Sequence, residues 1–279
     1  MVIGHSFGLT PMPILTHLKT KRTRQFLSVL LLGLITFNCA TSEVLLPPSG
    51  DEPDVYLYNL GLKALSEEKW SIARAYFRQI TDGYPQSIHR ADAKLGLGDS
   101  NIGEGSEHSR TMAISEFREF LAFYPTHRKA DYAQYRIAFT HFVQMRIAER
   151  DQTPTRLAIR ELNIFVERYP DSALLPEVRS KLREARDRLS ESEFRVGLFY
   201  YRARWYPGAI QRLRTVLRDD PDFTNRDSIY FYLAESLVKT EEEKEALLYY
   251  ERLIKEFKQS EYLEDAESRV TELRNKNSP

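Results

Sequence analysis

The sequence predicts an all-α fold of about five consecutive helix hairpins, joined by a long central helix and closed by a carboxy-terminal capping helix. Three observations carry this expectation. One spaced motif recurs five times after residue 54. Twelve Gly and thirteen Pro in 279 residues are too few for the many turns of a β-sandwich. The apolar residues, 42% of the chain, recur at helical spacing.

The amino terminus reads as an address. Lys19, Lys21, Arg22 and Arg24 occur with no acidic residue, and Phe26 to Phe37 is an apolar run of twelve residues, where a spanning helix wants roughly 20. This is the layout of a signal peptide. The one cysteine of the chain, Cys39, follows directly, where a bacterial lipoprotein signal places the residue that is acylated and becomes the new amino terminus. Residues 1–38 are therefore read as a lipoprotein signal peptide, with Met1 or Met12 as the start, and 39–53 as a flexible linker. The alternative is a plain secretory signal with an incidental cysteine. Thr36-Phe37-Asn38 lacks the Leu and the small residue usual before the acylated cysteine. Cleavage removes four basic residues, leaving forty acidic against thirty-six basic side chains.

Pro47-Pro48-Ser49-Gly50 lies in that linker, and the repeats follow. Each carries an alanine, a large residue four later, another three later, and a punctuating position five later. The sets are Ala73, Phe77, Ile80, Pro85; Ala113, Phe117, Phe120, Pro125; Ala158, Leu162, Phe165, Pro170; Ala209, Leu213, Val216, Pro221; and Ala246, Tyr250, Leu253, Lys258. Positions 0, 4 and 7 share one helical face, so each set is the buried stripe of a second hairpin helix that a proline stops in four of five cases. Gly61, Gly197 and Ala234, twelve residues upstream, mark the contact points of the first helices. Gly98 and Ala138 stand at longer spacings, which predicts longer turns in repeats two and three; Gly96 is an alternative to Gly98.

This pattern resembles tetratricopeptide repeats, and the resemblance implies a right-handed superhelix. Nothing from Glu177 to Arg204 except Gly197 interrupts a helical pattern, which predicts one helix of about 28 residues, roughly 42 Å long. Residues 261–274 supply an amphipathic cap. The chain after the linker thus divides into 54–172, repeats one to three, and 173–279, the long helix, repeats four and five and the cap.

Three stretches are more specific. Pro125-Thr126-His127 with Asp131-Tyr132 and Tyr135, then Arg150-Asp151-Gln152 leading to Phe165-Val166-Glu167-Arg168-Tyr169-Pro170-Asp171-Ser172, then Glu193 with Tyr200, Arg204, Ala209, Arg212 and Leu217-Arg218-Asp219 resemble the BamD family, lipoproteins of the outer-membrane β-barrel assembly machinery. The resemblance runs from about residue 54 to 260. It implies a non-enzymatic scaffold, lipid-anchored at the periplasmic face of the outer membrane, that binds the polypeptide-transport-associated domains of a BamA-like barrel insertase and unfolded outer-membrane proteins. Other assembly lipoproteins are further candidate partners. The alternative is another periplasmic repeat adaptor of the cell envelope, of the Tol-associated or polysaccharide-export kind.

Two candidate sites follow from the resemblance. Helix positions that line the concave surface in such repeats fall on Val55, Tyr58, Leu62 and Leu65 in repeat one and on Tyr132, Tyr135, Phe139 and Phe142 in repeat three, all apolar or aromatic; they form a candidate groove for an extended peptide. The insertase contact falls on Arg212. This residue lies about 100° from the buried position Leu213, and its planar fork suits a carboxylate.

No catalytic site or cofactor is assigned. The six histidines include no metalloprotease pair, and no nucleophile elbow or phosphate loop is present. His141 reads as a core histidine and Glu241-Glu242-Glu243 as a solvated charge run. Forty Lys+Arg against forty Asp+Glu remove the electrostatic case for nucleic acid.

Overall fold

The computed structural model describes residues 52–276. The signal peptide, Cys39 and most of the linker lie outside them. The described residues contain eleven α-helices and no strand: α1 (Pro53–Ser66), α2 (Trp70–Gly83), α3 (Arg90–Glu104), α4 (Glu107–Phe123), α5 (Ala130–Phe142), α6 (Thr153–Arg168), α7 (Leu175–Arg202), α8 (Tyr206–Asp219), α9 (Arg226–Lys239), α10 (Glu243–Glu256) and α11 (Leu263–Lys276). Consecutive pairs from α1/α2 to α9/α10 form five hairpins, and α11 packs on α10.

The spaced motif is the core. All fifteen residues at positions 0, 4 and 7, from Ala73 to Leu253, are buried. Glycine on the first helices lets the large residues in. A Cβ placed on Gly61 or on Gly96 would lie 2.5 Å from the ring of Phe77, and one on Gly98 equally close to Phe117. Gly98 is thus the contact point within its own hairpin, while Gly96 receives the ring of the hairpin before. Both are needed, which outweighs the roughly 1 kcal/mol that glycine costs inside a helix.

Repeat two departs from expectation. The α3–α4 connection is only Gly105-Ser106, with Gly105 left-handed at φ 75° and Ser106 capping α4 by accepting from the Ser109 amide. Its extra residues lengthen the helices instead. Repeat three does carry a longer connection, residues 143–152.

The residues that cap the ends of the second helices, Tyr84, Tyr124, Tyr169 and Asp220, each precede a proline, whose ring disfavours helical geometry in the residue it follows. Phe257 adopts the same geometry without one: φ −127° and ψ 74°, against −126° and 72° at Tyr84.

Each hairpin is latched to the next by an acidic residue of its first helix, near the start of that helix except in repeat four, where Asp187 lies midway along α7. Ser172 Oγ donates to Asp131 at 2.6 Å, Ser260 Oγ to Asp227 at 2.6 Å, Thr224 Oγ1 to Asp187 at 2.8 Å, and Ser87 to Asp54. Ser87, Ser172 and Ser260 also accept an amide two residues on, which ties each loop to itself and to its neighbour. In repeat two, Lys129 Nζ at 2.8 Å from Asp92 takes this place.

Helix α7 has the expected 28 residues, shifted two toward the amino terminus, where Pro176 fits the first turn because its missing N–H would be unpaired there. Its first half packs Val178, Leu182 and Ala185 against repeat three, and Phe194 enters the core of repeats four and five. One rigid helix therefore serves two cores.

Candidate binding surfaces

Seven of the eight residues of the candidate groove divide into two groups. Tyr58, Leu62 and Leu65 on α1 share a cavity of about 250 Å³ with Asp92, Leu95 and Asp99 on α3 and with Lys129 and Tyr132. Leu62 is exposed, and the half-buried ring of Tyr58 stacks on His89, with centroids 4.4 Å apart. The cavity has an apolar floor and a charged rim. Tyr132 donates its hydroxyl to Asp99, 2.9 Å from either oxygen, and Arg136 Nε stands 2.8 Å from the same carboxylate. Burial raises the Asp99 carboxyl above the usual range, against the opposing pull of Arg136 and Tyr132. Burial and Asp99 also raise the Tyr132 phenol, so at neutral pH it remains a donor.

Tyr135, Phe139 and Phe142 face α7. Tyr135 donates to Glu177 at 2.6 Å, and the Lys181 ammonium lies 5.2 Å and 4.8 Å from the ring centroids of Phe139 and Phe142. Phe139 and Phe142 stay half-buried and Tyr135 is buried. Val55 is half-buried at the start of α1, outside the cavity lining. Following apolar positions along one helix missed Asp92, Asp99, Lys129 and Lys181, because these polar partners come from neighbouring elements. The only hint in the sequence was an acid and a base at first-helix positions of successive repeats.

Arg212 lies in a second cleft, of about 590 Å³, among α6, α7 and α8. Its Nη1 is 3.8 Å from Glu193, and Arg156 Nη2 approaches the other oxygen of that carboxylate at 3.6 Å. Ile159 and Leu189 add apolar surface. Both pairs are long and half-exposed, worth about 0–1 kcal/mol each, so a competing carboxylate could exchange with Glu193 at little cost.

Among the described residues, no group of three or more His, Cys, Asp or Glu could hold a metal ion. His141 is half-buried, its imidazole held below the usual range by burial. The run Glu241–Glu243 is more than a solvated face: Glu242 approaches Arg214 at 3.9 Å and Glu243 pairs with Lys276, tying α10 to α8 and α11.

Comparison with known proteins adds the following. The profile of a family described as outer membrane lipoprotein (YfiO) matches residues 50–241, and a tetratricopeptide-repeat profile matches 229–260. A relative from Caulobacter vibrioides, named outer membrane protein assembly factor BamD, is 27% identical over 186 residues, covering 67% of this chain and 60% of the relative. A Vibrio cholerae protein of the same name is 24% identical over 208 residues, covering 71% of this chain and 84% of that one. Among solved structures, a TPR2AB domain of yeast Sti1 aligns with 80% of this chain and 83% of its own, at 13% identity and a TM-score of 0.44.

Proposed function

The chain belongs to the outer membrane lipoprotein family matched over residues 50–241, and from that premise we propose that it is a non-enzymatic assembly factor for outer-membrane β-barrel proteins. It is held at the periplasmic face of the outer membrane by acyl chains on Cys39. In this reading the cavity around Tyr58, Leu62, Leu65 and Tyr132 receives an apolar-aromatic segment of an unfolded barrel protein. The cleft at Arg212 receives a carboxylate from a polypeptide-transport-associated domain of the barrel insertase. Other assembly lipoproteins complete the partner set.

The observation that carries the reading is the pairing of two unlike surfaces on one stack of helices. The first is a half-open apolar cavity with charges at its rim, suited to an extended chain whose backbone and side chains both need partners. The second is a loosely paired arginine cleft, suited to a folded acidic partner.

The test is co-purification from solubilised outer membrane: the insertase should accompany the wild-type protein. Arg212→Glu should weaken insertase binding by more than about tenfold, or about 1.4 kcal/mol, with helicity and melting unchanged. A Tyr58→Ala, Leu62→Ala double variant, both residues lining the cavity, should instead lose affinity for a terminal-strand peptide. Cys39→Ser should leave the precursor unprocessed and remove the protein from the outer-membrane fraction. Normal insertase binding by Arg212→Glu would move that contact elsewhere, and equal peptide affinity would reject the groove.

A further inference from the structure

The turn between α7 and α8 differs in chemistry from its equivalents. In repeats one, four and five the first helix ends in the same backbone arrangement: Glu68, Arg204 and Glu241 are the three non-glycine residues with positive φ among the described residues, at 57°, 59° and 65°. The closing bonds correspond one to one. Lys69, Trp205 and Glu242 donate their amides to Ala64, Tyr200 and Leu237. The backbone therefore accepts an acidic residue at this position, yet repeat four places an arginine there.

The surroundings of Arg204 continue the contrast. Between Glu193 and Asp219 the sequence holds six arginines and no acidic residue, in a chain that is acidic once the signal peptide is removed. Arg202 and Arg204 are exposed, and neither makes a side-chain ion pair among the described residues. Beside them Phe199 is 65% and Trp205 55% exposed, and Val196 adjoins on the same helix. The indole is not loose. It meets Tyr200 edge-on with centroids 4.7 Å apart and lies over Gly208, where a Cβ would come within 2.5 Å of the ring. A held, half-exposed Trp with a neighbouring Phe and unpaired arginines has no use in the core.

We propose that this turn is a contact for an anionic phospholipid surface. Indole and phenyl rings partition to the headgroup level of a bilayer, and arginines beside them gain from its negative potential. A lipid surface also fits the arrangement better than a folded acidic partner. The patch is the tip of a hairpin turn, its cations sit on long unpaired stems, and its apolar groups are few and at the interface kind. The contact would set which face of the helix stack lies against the membrane; it takes its setting from the location proposed above and goes beyond it.

The chain has two tryptophans, so Trp70→Phe leaves Trp205 as the reporter and Trp205→Phe leaves Trp70. Each full-length protein, processed and lipid-anchored, is reconstituted in vesicles of phosphatidylethanolamine with brominated phosphatidylglycerol, and in phosphatidylcholine with brominated phosphatidylcholine. Circular dichroism checks that the variants remain helical. Trp205 emission should be quenched and blue-shifted in the anionic vesicles only, Trp70 should be unaffected, and Arg202→Glu with Arg204→Glu should abolish the quenching. Chain lacking acyl groups, added to preformed anionic vesicles, should show the same quenching. There the charge reversal should lower partitioning by more than about tenfold, so failure of the anchor and failure of this contact are told apart. Should Trp205 and Trp70 be quenched alike, or Trp205 be protected by purified insertase and never by anionic lipid, the proposal is overturned. If Trp70→Phe fails to fold, the charge reversal is read in the two-tryptophan protein, where unchanged quenching has the same force.

Discussion

Repeats one to three and repeats four and five bury the same spaced motif in different ways. In the first group the core is a row of separate clusters, centred on Phe77, on Phe117 with Phe120, and on Leu162 with Phe165. In the second, one continuous cluster runs from Phe194 to Leu273 and takes in Tyr230, Tyr250 and the cap. Separate clusters can loosen one at a time; a shared one opens together. The half-open apolar cavity belongs to the first group. The second holds a buried carboxylate fixed from two sides: Glu235, 4% exposed, accepts from Tyr250 at 2.5 Å and from Arg269 Nε at 2.8 Å and Nη2 at 3.1 Å. A half whose clusters can loosen singly, joined through α7 to a half with one shared core, would suit the scaffold role proposed above.

The largest expected effect tests the separateness of the amino-terminal clusters. Phe77→Ala should cost about 3–5 kcal/mol, and amide exchange should rise in α1 to α3 while α9 to α11 keep their protection. A uniform rise would mean that the two halves unfold as one. Gly61→Ala alone should also destabilise, because its methyl meets the Phe77 ring. In the Phe77→Ala background it should become stabilising by up to about 1 kcal/mol of helix propensity, which a double-mutant cycle reads directly.

Next, Arg269→Ala leaves Glu235 buried beside one hydroxyl. Breaking a fully buried pair costs about 3–5 kcal/mol; with Arg269 about a third exposed roughly 2 kcal/mol is expected. The loss should spread over α9 to α11 as one exchange unit, in contrast to the local effect at Phe77.

Two carboxylates, one in each half, respond to acid with opposite sign. Burial pushes the Asp220 carboxyl up, but Arg183 and Ser190 outweigh it and hold it below the usual range. The stability this contributes at the α7–α8 junction is present above the unfolded value, about 3.9, and is lost as pH falls through the lower folded value. Asp99 has the opposite shift. Its cost is present above its raised folded value and is relieved as pH falls from there to about 3.9. Exchange measured from pH 7 downward should therefore show α3 gaining protection before α8 loses it. Asp220→Asn should remove the acid sensitivity of α8, and Asp99→Asn the gain in α3.

The smallest effect concerns a feature that both halves share. Glu68→Gly and Glu241→Gly relieve a left-handed residue that costs about 1–2 kcal/mol, against the entropy glycine adds to the unfolded chain. Each should shift stability by less than about 1 kcal/mol by urea titration. A large difference between them would show that the two turns are strained unequally.

Much of the architecture was legible in the chain. The motif at positions 0, 4 and 7 repeats through the whole array, and small residues opposite it leave one solution for a helix hairpin, so fold class, hairpin number, the length of α7 and the capping helix followed from spacing alone. Proline marked four helix ends correctly, although Phe257 shows that the geometry stands without it. What spacing could not supply was everything that joins one repeat to the next. The acid–hydroxyl latches, the seating of the Phe77 ring on Gly96, the charged rim at Asp99 and Lys129, and the grip of Arg269 on Glu235 pair residues between 19 and 41 positions apart, through contacts that exist only after hairpins stack. Helical periodicity is a property of one element and is written locally. Which polar group meets which across two elements depends on the angle and translation between hairpins, and those are set by tertiary packing.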